Sequence, residues 1–380
     1  MSFRAVLAVA ASIALQTAVT AQAPNGGTAA PKTIRQRAAL ESLTQPPVPN
    51  DPLELALSDA QPVQDAEQRA AAVSLLTNAR ALSNVRAYPY DLKTTFVSSG
   101  PSEGSWSLED TSPSHNVYRW TAQGPSFSTI NLRTNELVYS NQPSGAIPLR
   151  LAQARTAIFF MYPQIGSRAS LRTVASSLNG AEVTCVLAAI MAQAKPSAGG
   201  RRWEESESCV DTKSGLLMSY SPVPGMYTLY DYSNALHFHD KIIPGKFTIM
   251  QAGQTVIEAH TESVGDPGKL VRAMFEPAGL EKIGAGTLLT PPWRVRTRDT
   301  SGNVNSNGTL QVVILDGLVN PQGQMSDIQV IASSNAALNQ SAQEKAAAWT
   351  SWNSEQDAQP GAAPQSHEVY FTAEFVQSAP

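Results

Sequence analysis

The chain has 380 residues, of which 42% are hydrophobic and 15% are charged. This length accommodates two ordinary hydrophobic cores, and this composition excludes a chain that is disordered throughout. The formal net charge of −4 disfavours nucleic acid and anionic membrane surfaces as partners, because both bind clustered Lys and Arg residues.

The first residues have the pattern of a secretory signal peptide. Arg4 precedes an apolar run over residues 5–15, which is too short to cross a hydrocarbon layer about 30 Å thick. Small residues then offer a cleavage site after Ala21 or, alternatively, after Ala23. We predict that residues 1–21 are a signal peptide and that the mature protein is periplasmic or secreted, without a stable membrane span. An uncleaved membrane anchor is the competing interpretation.

A Pro- and Ala-rich stretch follows at residues 22–63. Its Pro content and lack of periodicity predict a disordered linker. Residues 65–84 come next and place apolar side chains on one side at helical spacing, behind the capping residue Asp65. This pattern predicts the first helix.

Most of the remaining chain has the pattern of antiparallel strands. Short alternating segments separated by Gly, Pro, Asn and Ser predict strands within residues 88–139 and again within 181–264. Residues 148–162 have a heavily apolar face and predict a helix between the two sets of strands. The predicted fold class is therefore α+β, with one domain over residues 64–264 and a linker at 265–283.

The second set of strands carries the motifs that resemble a known family. These are C-V-D-T-K-S-G-L-L-M-S-Y from Cys209, Y-T-L-Y-D-Y-S from Tyr227 and F-H-D-K-I-I-P-G-K-F-T-I-M from Phe238. Their succession resembles the lipoprotein-carrier (LolA/LolB-type) proteins of bacterial envelopes. The resemblance implies an antiparallel half-barrel whose apolar concave face binds acyl chains or lipoproteins, and it brings no catalytic residues with it.

Cys185 and Cys209 are the only cysteines of the chain. An even number of cysteines in an exported protein indicates a disulfide. Each cysteine lies on a predicted strand beside the turn at residues 194–200, so the bond would link the two arms of a hairpin. Two buried free thiols are the alternative.

Two short motifs suggest chemistry, but their context disfavours it. Residues 100–104 satisfy G-x-S-x-G, yet they lie between two strand patterns, whereas a nucleophile elbow joins a strand to a helix. His237 and His239 share one side of a predicted strand but lack a third ligand in register. We predict no catalytic residue, no metal site and no cofactor, and hence no enzyme.

The C-terminal region has a β-β-α-β pattern. Residues 309–319 and 325–331 predict a strand hairpin, residues 333–349 predict a helix with an apolar stripe, and residues 368–376 predict a final half-buried strand. The region from 284 to 380 forms a small domain of its own in this interpretation.

Several motifs of this region resemble the C-terminal domain of TonB-family proteins. They are V-V-I-L-D-G-L-V-N-P-Q-G from Val312, S-S-N-A-A-L from Ser333, a helix that ends at Trp349, and G-T-L-L-T-P-P from Gly286. The resemblance implies a domain that binds an envelope protein or an outer-membrane transporter peptide by strand addition.

The final strand is expected to lie at the edge of its sheet, with unpaired backbone groups that accept an added strand. Its outward-facing residues would bind the partner: Glu368, Tyr370, Thr372 and Glu374. The first functional hypothesis is therefore a non-catalytic periplasmic TonB-like binding protein, linked to outer-membrane transport. The alternative is a carrier for an apolar ligand in the half-barrel.

Overall fold

The structure is a computed structural model of the chain. It describes residues 43–49, 53, 57–142, 147–162, 165–189, 200–268, 272–285, 291–299, 308–320, 323–349 and 366–377. The predicted signal peptide, residues 1–21, lies outside the described residues. In the described ranges, no helix combines the length and the apolar character that crossing a bilayer requires.

The fold is α+β and is dominated by antiparallel strands. The first eight strands are β1 (Gln61–Pro62), β2 (Tyr90–Ser98), β3 (Gly104–Ser114), β4 (Val117–Gln123), β5 (Ser128–Thr134), β6 (Leu137–Ser140), β7 (Ser170–Leu178) and β8 (Ala181–Ala189). The next eight are β9 (Ser206–Asp211), β10 (Leu217–Ser221), β11 (Met226–Asp231), β12 (Leu236–Phe238), β13 (Lys241–Ile243), β14 (Lys246–Gln251), β15 (Gln254–Gly265) and β16 (Glu281–Ala285).

Fourteen of these strands, within the described residues, form one open sheet, which is the half-barrel. Their order is β1-β7-β8-β9-β10-β11-β14-β15-β2-β3-β4-β5-β6-β16, while β12 and β13 pair as a separate hairpin. Strand β2 illustrates why the sheet curves around a core: Tyr90, Leu92 and Phe96 are buried, while Lys93 and Val97 on the other face are exposed. Because successive side chains of a strand point to opposite faces, this alternation gives the sheet one face that packs on the core.

Two helices belong to the half-barrel. Helix α1 (Ala66–Ser83) begins where the Asp65 carboxylate accepts a hydrogen bond of 2.7 Å from the Gln68 backbone N–H, as expected of a capping residue. It buries Ala72, Leu76 and Ala79. Helix α2 (Leu149–Phe159) follows Pro148 and corresponds to the helix predicted at 148–162.

The C-terminal residues form a second sheet. Its strands are β17 (Trp293–Asp299), β18 (Thr309–Val319), β19 (Met325–Ser333) and β20 (His367–Gln377), in the order β17-β20-β18-β19. Strands β17 and β20 are parallel, and the other pairs are antiparallel. Helix α3 (Asn339–Ala347) covers one face of this sheet and buries Ala342 and Ala346 against it.

The other face of the C-terminal sheet packs on the half-barrel. On β18, Val312 and Ile314 join the core of the half-barrel, whereas Val313 and Leu315 join the cluster under α3. Because successive side chains of a strand point to opposite faces, this division places the C-terminal sheet between α3 and the half-barrel. The two sheets therefore share one hydrophobic core.

The position predicted for the last strand is wrong. Strand β20 is not an edge strand, because it pairs with β17 on one side and with β18 on the other. The residues expected to face a partner have contacts within the chain instead. Glu368, Tyr370 and Glu374 are buried and Thr372 is half-buried, since their face of β20 is the one that meets the half-barrel.

Part of the predicted linker also packs against the fold. Leu43 is fully buried in a small cluster with Leu310, and Thr44 forms a parallel bridge with Thr309. The Trp203 indole N–H donates to the Pro46 carbonyl oxygen at 2.7 Å. This stretch supports both sheets, which its Pro-rich composition did not indicate.

Cys185 and Cys209, the predicted disulfide pair, are bonded with an S–S distance of 2.08 Å. They lie directly opposite each other on β8 and β9, and both are fully buried. Closing a loop of this length stabilises a fold by about 3–4 kcal/mol in the chain-entropy model. The bond therefore fastens the second half of the half-barrel.

The junction between the two sheets generates a first prediction. Gly225 has φ of +87°, and a Cβ atom there would lie 2.1 Å from the Ile331 carbonyl oxygen of β19. Gly253 has a similar φ of +79° but no neighbour within 4 Å of such an atom. We expect Gly253→Ala to cost about 1 kcal/mol for its backbone conformation, and Gly225→Ala to cost roughly 2–4 kcal/mol because the clash adds to it.

Urea denaturation of both variants and the parent protein measures these losses. Gly253→Ala serves as the matched control for the left-handed backbone. Equal losses in the two variants would contradict the close approach of the turn at Gly225 to the C-terminal sheet.

Candidate functional site

Helix α2 is buried on nearly every side, which distinguishes it from an ordinary amphipathic surface helix. It lies between the half-barrel and the C-terminal sheet and contacts both of them through its side chains. Its buried residues include three long polar side chains among small and apolar ones: Leu149, Arg150, Leu151, Ala152, Gln153, Ala154, Arg155 and Ala157. Burial of polar groups is costly unless each finds a partner, so their partners define how the helix is held.

The first polar network joins α2 to both sheets. The Arg150 guanidinium donates to the Ser99 carbonyl oxygen at 2.9 Å and to the side-chain oxygens of Gln153 and Gln251, each at 2.8 Å. The Gln153 and Gln251 amides then donate to Asp316 Oδ2 at 2.5 Å and 3.1 Å. Asp316 belongs to β18, so this network connects the half-barrel, the helix and the C-terminal sheet.

Two acidic residues of the C-terminal sheet meet at this network. The negative charge of Glu368 acts on Asp316, and the Tyr370 hydroxyl donates to Glu368 Oε1 at 2.8 Å. Asp316 Oδ1 and Glu368 Oε2 are both buried without a donor among the described residues. A proton on either carboxyl group would supply such a donor.

Burial changes the acidity of both groups. Desolvation, followed by the charge of Glu368, raises the pKa of Asp316 well above its usual range. Desolvation also raises the pKa of Glu368 to about 7, although hydrogen bonds from Tyr370, Gln153 and Thr156 lower it. The pair therefore holds protons at neutral pH that exposed carboxyl groups would have released.

The second polar network holds the C-terminal half of α2. The Arg155 guanidinium lies 3.8 Å from the centre of the Trp120 ring and 3.4 Å from Asp110 Oδ2. The Tyr90 hydroxyl donates to Asp110 Oδ1 at 2.8 Å. Asp110 is fully buried, so its charge is balanced by Arg155 rather than by solvent.

Two tyrosines hold the end of the helix. The Tyr230 hydroxyl donates to the Ala157 carbonyl oxygen at 2.9 Å, and the Tyr162 hydroxyl donates to the Ala79 carbonyl oxygen of α1 at 2.8 Å. The bond to Ala157 occupies one of the last four carbonyl groups of α2, which have no partner within the helix, and the bond to Ala79 ties the residues after α2 to α1.

An apolar cavity of about 20 Å³ lies beside this end of α2. Most of its lining is aliphatic or aromatic: Val85, Leu92, Ala157, Ile158, Met161, Ile243 and Phe247. A space of this volume has room for about one water molecule. A larger guest at this place therefore requires the residues that line it, among them those of α2, to move.

The sequence did not identify the polar residues of this site. The helix at 148–162 was expected to be heavily apolar, and Arg150, Gln153 and Arg155 were overlooked. The available signal was the presence of three long polar residues within a run otherwise rich in Ala and Leu. Of the predicted partner-binding residues, Glu368 and Tyr370 belong to the site, whereas Glu374 forms ion pairs with Arg296 and Arg298 of β17.

The predicted chemical motifs can be compared with the described part of the chain. The one group of three or more His, Cys, Asp and Glu side chains at ligand spacing there consists of Cys185, Glu207 and Cys209, and both sulfur atoms are bonded in the disulfide. The G-x-S-x-G string at residues 100–104 forms the turn between β2 and β3, which is not the strand-to-helix turn of a nucleophile elbow.

No protein-family model matches the chain, and no curated protein matches it. The comparisons give no support to a TonB-family C-terminal domain.

Solved structures with a similar half-barrel include a LolA-superfamily protein from Nitrosomonas europaea, with 12% identity and a TM-score of 0.36 over 54% of this chain and 97% of that one. A domain named for outer-membrane lipoprotein sorting, from Vibrio parahaemolyticus, has 9% identity and a TM-score of 0.34 over 54% and 96%. A DUF1329 family protein from Desulfovibrio piger has 9% identity and a TM-score of 0.34 over 56% and 98%.

The acidic pair generates a second prediction. Because the pKa of Asp316 and that of Glu368 are raised in the folded state, the folded protein binds more protons than the unfolded chain above about pH 4. The contribution of the pair to the free energy of unfolding is therefore largest at acidic pH and is lost as the pH rises through about 7. Asp316→Asn removes one of the two charges, so its stability relative to the parent should increase from pH 5 to pH 8.

Urea midpoints of the parent and the variant at several pH values in this range provide the measurement. Glu182→Gln, at an exposed carboxyl group of β8, is the control and should follow the parent at every pH. Parallel pH profiles of the parent and Asp316→Asn would contradict the raised pKa values of the two buried carboxyl groups.

Proposed function

We propose that this protein is a non-catalytic, exported binding protein that carries an apolar ligand, such as a lipid or lipoprotein acyl chain, inside its half-barrel. One observation carries the proposal: the interior of the half-barrel is occupied by α2, which is held by polar contacts in addition to its apolar packing. A ligand that replaced the helix would cover the apolar surface that Leu151, Ala154 and Ala157 now cover, while the hydrogen-bonding groups of the helix would exchange their protein partners for water.

The residues around the end of α2 support an apolar guest. The cavity wall combines Leu92, Ile158 and Phe247, and the neighbouring cluster adds Tyr90 and Phe238. Displacement of α2 would expose these surfaces to water, and a bound acyl chain would cover them again at about 25 cal/mol for each Å² of apolar area. The ligand thus replaces contacts that the helix makes in the closed state.

Strand addition at the C-terminal sheet has weaker support. The strand assigned to it, β20, has backbone partners on both sides, so its N–H and C=O groups are unavailable to a peptide. The C-terminal sheet is better understood as the second wall around α2, because Asp316 and Glu368 both bind groups of that helix.

The two tyrosine hydrogen bonds at the end of α2 generate the third prediction. A Tyr162→Phe/Tyr230→Phe variant removes two hydrogen bonds at the end of α2 but keeps both rings. Each such bond contributes about 1 kcal/mol, so the variant should lose roughly 1–3 kcal/mol of stability. Because displacement of the helix becomes less costly, its affinity for an apolar ligand should rise by about tenfold.

Fluorescence titration with N-phenylnaphthylamine, a neutral apolar probe, measures the affinity. Tyr139→Phe is the control, because it removes a phenol hydroxyl from β6, a strand that pairs with β5 and β16. It should change neither the stability nor the affinity for the probe. A double variant that is folded and less stable, yet binds the probe no better than the parent, would argue against displacement of α2 as the route to the cavity.

A further inference from the structure

A second depression opens beside the apolar cavity. It is a groove of about 200 Å³ between the turn that follows α1 and the β3–β4 hairpin. The residues that line it and matter here are Arg86, Tyr88, Tyr90, Ser112, His115 and Tyr118. It differs from the cavity in chemistry, because hydroxyl groups, a guanidinium and an imidazole replace most of the aliphatic lining.

The groove and the cavity are lined by neighbouring residues of the same two segments. Val85 and Leu92 line the cavity, while their neighbours in the chain, Arg86 and Tyr90, line the groove. The Tyr90 ring lies 6.2 Å from the ring of Phe159, the last residue of α2. The end of α2 therefore lies against the wall that the two spaces share.

The groove has a firm base and wall. Tyr90 and Tyr118 at its base are each 3% exposed. The half-exposed Tyr88 ring is held against His239, with ring centres 4.4 Å apart, and against Phe238 at 6.1 Å. A site made of fixed aromatic side chains binds a ligand without ordering flexible groups first.

Arg86 and His115 lie at the rim of the groove. The Arg86 guanidinium and the His115 imidazole form no hydrogen bond or ion pair with the residues that the structure describes, and both are exposed. The buried carboxyl group of Asp110 is bound by Arg155 and Tyr90. Desolvation raises its pKa, and the charge of Arg86 is among the contributions that lower it. The groove therefore presents the N–H donors of Arg86 and His115 and the positive charge of Arg86, which an anion satisfies.

We propose that the groove binds the anionic head group, a phosphate or a carboxylate, of an amphiphile whose apolar chain lies in the neighbouring cavity. This inference rests on the proposed carrier function and specifies the ligand: an anionic amphiphile rather than a neutral one. Arg86 and His115 donate to the head group, and the tyrosines at the base exclude water from one side of it.

The experiment compares three probes by isothermal titration below the critical micelle concentrations. Dodecyl phosphate has the chain and the anion, dodecyl maltoside has the same chain with a neutral head, and inorganic phosphate has the anion alone. We expect dodecyl phosphate to bind best. Arg86→Ala and His115→Ala should each weaken dodecyl phosphate roughly three- to tenfold, the range of a partly exposed charged contact, and leave dodecyl maltoside unchanged.

Arg168→Ala removes an exposed Arg outside the groove and is the matched control, with no expected change. Equal binding of both dodecyl probes to the parent and to every variant would overturn the anionic site and leave the carrier function intact. Failure of both dodecyl probes to bind would overturn the carrier function and this inference together. Inorganic phosphate binding as tightly as dodecyl phosphate would identify a free-anion site and overturn the amphiphile.

Discussion

The polar contacts of α2 are the constraint on which the rest of the structure depends. Arg150 and Gln153 link a main-chain carbonyl of the half-barrel to Asp316 of the C-terminal sheet. Without the helix these groups would be buried and unpaired, and without either sheet the helix would lose its partners. The half-barrel, the helix and the C-terminal sheet are consequently one cooperative unit, although the chain alternates between them in sequence.

This arrangement explains why the C-terminal sheet carries buried acids. A sheet covered by a helix on one face and by solvent on the other needs only one apolar face. Here β18 and β20 are covered on both faces, and the second cover includes a helix that carries buried amide and guanidinium groups at the junction. Asp316 and Glu368 match those donors, so their retention in the interior follows from the polarity of α2.

Local patterns in the sequence predicted much of the secondary structure, because capping, periodicity and turn residues act over short distances. Asp65 begins α1 as predicted, and the alternation of Val369, Phe371 and Ala373 identified the face of β20 that packs under α3. The alternation of apolar and polar side chains along a strand indicates that one face of the strand is apolar. It does not indicate what covers the polar face. The half-barrel that covers Glu368 and Tyr370 is distant in the chain, so the order of strands and the partners of α2 lay beyond local reasoning.

The same distinction applies to the site. Motifs identify residue types that perform chemistry at a fixed spacing in the sequence. A binding interior is defined instead by the volume of its cavity and by the strength of the contacts that hold the side chains and helices inside it. In this chain the relevant quantities are a cavity of about 20 Å³ beside α2 and two tyrosine hydroxyls on carbonyl groups that hold the helix in place. Neither the cavity nor the two hydrogen bonds has a signature in the sequence, because Tyr162 and Tyr230 have the pattern of ordinary aromatic residues of a hydrophobic core. Their function depends on the end of α2, which only the folded structure places beside them. The strength of these two hydrogen bonds sets how readily the interior opens to a ligand.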